Sequence, residues 1–227
     1  MAKVANIDSK KTSKNQESAG VRRVEQALEH IEQGIREGRY LPGHRLVEAE
    51  LAENSGLSIG PIREALRVLA GEGMVDLRPY RGAVVTRLTV EQITKVYQAA
   101  KGVVYISLQL AAEVCQTRKN RKLLKAAMDE VQITENRPLT EFLMAVTNYF
   151  FVLHQIVDNP YLTILINRLH LGLVHREVSN LHPALDRKAI VKAYSETTKA
   201  LLTGDAETAV KHQFKHLDTY IEMIEQA

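Results

Sequence analysis

Apolar residues along the chain change their spacing near residue 21 and again near residue 74. Residues 1–20 are polar and rich in Lys, Ser and Asn, without apolar periodicity, and are expected to form a flexible tail. From Val21, Val24, Leu28, Ile31 and Ile35 recur at helical spacing, which predicts a helix stopping near Gly38. Tyr40-Leu41-Pro42-Gly43 predicts a turn, and Leu51 and Ala52 mark a second short helix closed by Asn54-Ser55-Gly56. Ser58 suits the N-cap of a third helix, because its hydroxyl can accept an orphan backbone N–H, and Pro61 falls in the first turn. In that helix Ile62, Leu66 and Leu69 form an inward stripe, Arg63 and Arg67 share an outward face, and Gly71 and Gly73 end it. Met74–Leu77 and Ala83–Thr86 then alternate as two short strands joined by Arg78-Pro79-Tyr80-Arg81-Gly82. Helix, helix–turn–helix and hairpin together outline a winged helix–turn–helix.

After Leu88 strand signals stop. Thr89 can cap a helix whose apolar pattern runs to about Val114, and further helices are predicted at 119–133, 138–157, 160–179, 186–203 and 205–225. On the last, Val210, Leu217, Ile221 and Ile224 fall on one stripe. The expected fold is mainly α: a tail over 1–20, a winged helix–turn–helix with a small β-hairpin wing over 21–88, and an all-helical bundle of six or so helices over 89–227.

Composition narrows the setting. No run approaches the roughly 18 apolar residues of a membrane span, and the first residues lack the apolar core of a secretory signal. A single cysteine, Cys115, fits a reducing compartment, so a cytoplasmic location is expected. The net charge is only +3, with 14 Lys/Arg against 12 Asp/Glu up to Leu88. Bulk charge therefore does not announce a nucleic-acid partner, and any such signal lies in placement.

Placement supplies it. Residues 41–87, through LPGHRLVEAELAENSGLS, GPIREALRVLAGEGMV and RPYRGAVV, resemble the N-terminal domain of the GntR family of bacterial transcription regulators. The helical remainder, with FFVLHQIVDNPYL and ALLTGDAETAVKHQFKHLD, is similar to the FCD effector domain of the FadR-like branch. The resemblance implies a homodimer bound to a palindromic double-stranded DNA operator in the bacterial nucleoid. It further implies a small metabolite sensed by the helical domain and, usually, a repressor. Matched residue by residue, it assigns DNA contact to Arg45, Ser58, Ile59, Gly60, Arg63 and Arg67, and to Arg78, Tyr80, Arg81 and Gly82 at the wing tip. Arg63 would reach a guanine edge or a phosphate; Arg67, a phosphate or a surface ion pair. Many relatives carry arginine or another polar residue where this chain has Ile59, and threonine where it has Gly60. Isoleucine can meet a thymine methyl but cannot hydrogen-bond a base, so an operator unlike the common family sites is expected.

Many relatives also hold a divalent metal through an aspartate and three histidines. Aligned on Asn159-Pro160 and Gly204-Asp205, three of those positions carry Val146, Phe150 and Tyr194, and only His216 remains. No metal or other cofactor is therefore expected, the one residual candidate being His216 with His212 or His154. Tyr149, Phe150, His154, Tyr194, His212 and His216 either line an effector cavity between helices or simply fill the core. His170, His175 and Arg176 are expected on helix surfaces. Two other functions stay open: a constitutive DNA-binding regulator with a filled pocket, and an enzyme domain fused to a DNA reader. Against the enzyme stands the lack of a nucleophile–base–acid arrangement or a Gly-rich phosphate loop.

Overall fold

The computed structural model describes the backbone of residues 5–78, 82–181 and 185–226, with side chains from residue 20 onward except 180 and 181. The chain divides into two compact units, Met1–Arg87 and Leu88–Ala227, one residue from the expected junction.

The first unit contains α1 (Ala5–Glu37), β1 (Arg45–Leu46), α2 (Glu48–Ser55), α3 (Ile59–Gly71), β2 (Val75–Arg78) and β3 (Gly82–Val85). Its α1 begins at Ala5, so helical backbone occupies most of the stretch expected as a tail. Residues 5–19 contain no Pro or Gly and many good helix formers; apolar periodicity reports which turns pack, not how far the helix runs. Packing begins further on. Ala27, Ile31 and Ile35 of α1 meet Ile62, Leu66 and Leu69 of α3 in a core where each is at most 2% exposed. Gly56 closes α2 in the left-handed region, at φ 70°.

The two predicted strands form, with Leu77 opposite Ala83 and Arg78 opposite Gly82. The structure adds a third, β1, on the other edge of β3, giving the antiparallel order β1-β3-β2. Two residues are too few for alternation to register in sequence. They pair because β3 has a free edge, and Val85 N–H donates to His44 O at 2.9 Å just beyond them.

The second unit is helical throughout its described residues: α4 (Val90–Val114), α5 (Arg118–Thr134), α6 (Leu139–Val157), α7 (Pro160–Asn167), α8 (Leu171–Leu181), α9 (Arg187–Thr203) and α10 (Ala206–Glu225). Side chains cap most of the starts. Thr89 and Gln92 form a full capping box on α4, and Thr117, Asn159, Asp186 and Asp205 each accept a first-turn N–H. Just before α4, the Leu88 N–H donates to Glu177 Oε1 on α8 at 3.2 Å. Arg187 Nη1 donates to the carbonyl of Glu135, tying the start of α9 to the end of α5.

The predicted helix over 160–179 is two helices. His170 takes φ 46° between α7 and α8, a left-handed value rare outside glycine. Neither Pro nor Gly stands at 168–170, and apolar residues continue across the break at helical spacing, so the sequence pattern does not disclose it. No helix among the described residues is long and apolar enough to cross a membrane.

The Tyr40 ring lies over Gly34, where an added Cβ would collide with it. Gly34→Ala is therefore expected to destabilise the chain although alanine is worth about 1 kcal/mol more than glycine within a helix. In a Tyr40→Ala background the same substitution should stabilise by about 1 kcal/mol. Urea unfolding of the four variants measures both signs, and a stabilising Gly34→Ala in the parent chain would show that the ring is not seated there.

Candidate nucleic-acid interface and buried aromatic cluster

α3 buries Ile62, Ala65, Leu66 and Leu69, and this fixes what faces outward. Ile59, Arg63 and Arg67, four residues apart, lie along its exposed side with Gly60. Ile59 is 45% exposed. Gly60 has ordinary helical backbone, and a Cβ added there would meet nothing within 4 Å. The fold does not require glycine at this position. Ser58 holds the N-cap geometry, φ −77° and ψ 163°, yet its hydroxyl makes no capping bond, contrary to expectation. An extended N-cap backbone permits that bond without compelling it; here the first-turn N–H groups keep no side-chain acceptor.

The arginines are partnered. Arg63 Nε donates to both oxygens of Glu48 at 3.1 Å, and its Nη2 to Oε2 at 2.8 Å. That bond holds the Glu48 carboxyl below its usual range and raises the Arg63 guanidinium. Arg67 Nη1 pairs with Glu64 on its own helix at 3.1 Å. On the sheet, Arg45 stands exposed on one edge strand opposite Val84, and Arg78 on the other, 3.9 Å from Asp76. Gly82 takes φ 75°, so its place in the wing is explained by backbone freedom. Tyr80 and Arg81 lie outside the described residues.

In the helical unit the expected effector residues separate into three groups. Tyr149, Phe150 and Tyr194 are buried and meet edge-on, with centroids 5.0–5.8 Å apart. His216 continues this cluster from Tyr194 at 5.8 Å. His154 is buried as well, but its Nε2 sits 2.8 Å from Ser107 Oγ on α4. His212 is half-buried on α10.

The cluster extends past what the sequence suggested. Tyr220 lies 5.7 Å from His216, Tyr97 meets Tyr220 edge-on at 5.2 Å, and His175 stacks on Tyr97 at 6.2 Å. The expectation that His175 is a surface residue is thus corrected: it is 8% exposed, with Nδ1 2.7 Å from Thr147 Oγ1. His170 and Arg176 are half-buried, and burial lowers the Arg176 pKa. The inward side of α8 was hidden by the unseen break before it, which resets which residues share a face. Tyr149 and Thr198 are joined through their hydroxyls at 2.9 Å.

Burial is the main electrostatic effect here. It raises the tyrosine hydroxyls of Tyr97, Tyr149, Tyr194 and Tyr220, and lowers His175 and His216 to about 4. The cluster is therefore neutral near pH 7. Its donor set does not fit a divalent ion: Val146 and Phe150 have no donor atom, and no three His, Cys, Asp or Glu side chains come together among the described residues.

Comparison with known proteins accounts for both units. Residues 23–85 match the bacterial regulatory proteins of the gntR family, and residues 105–219 match the FCD domain. Similar proteins include the uncharacterized HTH-type transcriptional regulator YdhC of Bacillus subtilis, 21% identical over 85% of this chain and 87% of that one. Another is the HTH-type transcriptional repressor RspR of Escherichia coli, 21% identical over 82% and 81%. Among solved structures, E. coli McbR/YncC superposes with a TM-score of 0.75 at 20% identity, over 90% of this chain and 97% of that one. A GntR transcriptional regulator from Rhodococcus sp. RHA1 gives 0.76 at 20% identity, over 90% and 98%. At such identities the likeness is one of fold.

His175, buried, and His216, half-buried, generate a pH dependence. In the fold they stay neutral down to about pH 4, whereas in the unfolded chain they take up protons around pH 6.5. Between those values the unfolded state binds more protons, so stability is complete above pH 6.5 and falls as pH drops toward 4. The loss is on the order of 3 kcal/mol per imidazole. Urea midpoints followed by tyrosine near-ultraviolet dichroism should decline over this window, and the pair His175→Gln and His216→Phe should flatten the decline. Equal declines in parent and variant would show that the imidazoles are solvated.

Proposed function

This chain belongs to the GntR family of bacterial transcription regulators and carries an FCD domain, and from that premise we propose how its surfaces are used. Its first unit binds DNA, as the family does. The chain acts as a homodimer on a palindromic operator, each α3 lying in a major groove and the two wings flanking it. It serves as a cytoplasmic repressor.

The observation that carries this reading is the exposed stripe of Ile59, Gly60, Arg63 and Arg67, backed by a fully buried opposite face. Ile59 offers an apolar contact to a thymine methyl. Gly60 lets the helix start approach the sugar-phosphate backbone closely, and the uncapped N–H groups behind Ser58 suit a phosphate oxygen. Arg45 and Arg78, on the two sheet edges, supply backbone contacts that set register.

The FCD unit senses an effector, and we assign that role to the cluster around Tyr149, Phe150, Tyr194 and His216, without a metal. Its neutrality favours an uncharged, hydrogen-bonding compound over a free carboxylate. Ligand binding changes DNA affinity only by preferring one geometry of the dimer. A second reading has its own support: Tyr149 is fully buried and Phe150 and Tyr194 nearly so, as in a filled core. In that case the protein binds its operator constitutively.

Selecting duplexes from a random library with the full chain tests the DNA reading; enrichment of a two-fold symmetric site is expected, with Arg63→Ala weakening it at least tenfold. Gly60→Ala separates fold from recognition. It should stabilise the chain by up to ~1 kcal/mol while weakening binding to the selected duplex in fluorescence anisotropy. Unchanged binding would remove Gly60 from the interface. A thermal-shift screen of metabolites and divalent metals, repeated on Tyr194→Ala, distinguishes the sensing and constitutive readings. Sensing predicts that at least one uncharged compound raises the melting temperature of the parent but not of the variant.

A further inference from the structure

We infer that Glu48 is a positioning residue for recognition: it holds the Arg63 guanidinium so that its outer edge is presented to a guanine. This rests on the proposal that the exposed face of α3 reads DNA.

The geometry is specific. Glu48 is the first residue of α2, and Arg63 lies in the second turn of α3. Their carboxylate and guanidinium meet through three donor–acceptor contacts of 2.8–3.1 Å, all on the Nε–Nη2 side of the fork. An arginine has five N–H donors in a rigid plane. With Nε–H and one Nη2–H committed to Glu48, two of the three remaining donors, one on Nη1 and one on Nη2, lie along the terminal edge. That edge is the one able to bond O6 and N7 of a guanine together. Both helices are anchored from below, by Leu51 in α2 and by Ile62 and Leu66 in α3, so the carboxylate is held by the same core that sets the angle of α3.

Neither stability nor affinity alone accounts for a carboxylate here. Arg63 and Glu48 are 55% and 35% exposed, and surface pairs of this kind contribute little to folding. Beside a DNA groove a carboxylate repels phosphates and so opposes sequence-independent binding. What it supplies is orientation and selectivity. The side chain no longer has to be ordered on binding, and a guanidinium already half neutralised gains less from a phosphate than from a base edge. Arg67 makes the contrast. Its hydrogen-bond partner is Glu64 on the same helix, through one N–H at 3.1 Å with both side chains more than half exposed, and Glu48 reaches it only as a nearby charge.

The test compares the parent with Glu48→Gln, Arg63→Ala and Glu50→Gln, which removes an exposed acid from the same helix start. Each full-length protein is titrated against the duplex selected by the parent and against a scrambled duplex, over a range of salt concentrations. Glu48→Gln is expected to lower the ratio of the two affinities about tenfold, with scrambled-duplex binding unchanged or tighter. Renewed selection should relax the guanine preference at one position per half-site. Glu50→Gln should keep the ratio, and in an Arg63→Ala background Glu48→Gln should change it no further. Arg63→Lys, which keeps the charge and loses the fork, should reproduce the ratio loss should Glu48→Gln fail to fold. Equal tightening on both duplexes would make Glu48 a simple repulsive charge, and a ratio loss that persists without Arg63 would make it structural; either overturns the inference. If the parent enriches no sequence, the DNA reading itself fails. Enrichment with an unchanged ratio in Glu48→Gln defeats the positioning role alone.

Discussion

One face of one short helix is the constraint on which the first unit depends. α3 has 13 residues, too few to be stable alone, and it persists because Ile62, Leu66 and Leu69 are withdrawn from water against Ile31 and Ile35. Each such side chain contributes about 1.5–3 kcal/mol on burial. Since a helix turns 3.6 residues per revolution, burying that stripe fixes the opposite one. The outward placement of Ile59, Arg63 and Arg67 on the helix therefore follows from the core. The same core sets the angle between α2 and α3, which brings Glu48 to Arg63 across fifteen residues of sequence.

In the helical unit the comparable constraint is electrostatic. A row of rings from Phe150 through Tyr194, His216, Tyr220 and Tyr97 to His175 occupies the interior with both imidazoles uncharged. Val146, Phe150 and Tyr194 leave that interior to van der Waals contact, and Tyr149 and Thr198 bond there through their hydroxyls.

Much of this was legible in the residues. Capping at Thr89 and the glycine stops at Gly71 and Gly73 are local events, decided within four or five residues, and they placed the start of α4 and the end of α3 within one or two positions. What escaped depends on distant partners. β1 exists only because β3 offers an edge, and the turn at His170 interrupts an apolar pattern that reads as continuous. His175 and Tyr220 joined the ring cluster because α8 and α10 pack where they do. On the exposed face of α3, the arginines were visible but the carboxylate holding one of them was not, since nothing in a linear reading pairs residue 48 with residue 63.

Gly60 has a consequence for how such a regulator can diverge. Its backbone is ordinary for a helix and no atom stands within 4 Å of the missing Cβ, while Ile59 beside it is 45% exposed and outside the buried core. Changes at these two positions leave the core untouched, so mutation can explore them without first passing through an unfolded intermediate. On the DNA-reading face proposed above, gene duplication followed by drift at 59 and 60 would yield paralogues with the same scaffold and separate regulons, because the fold places no demand on either side chain.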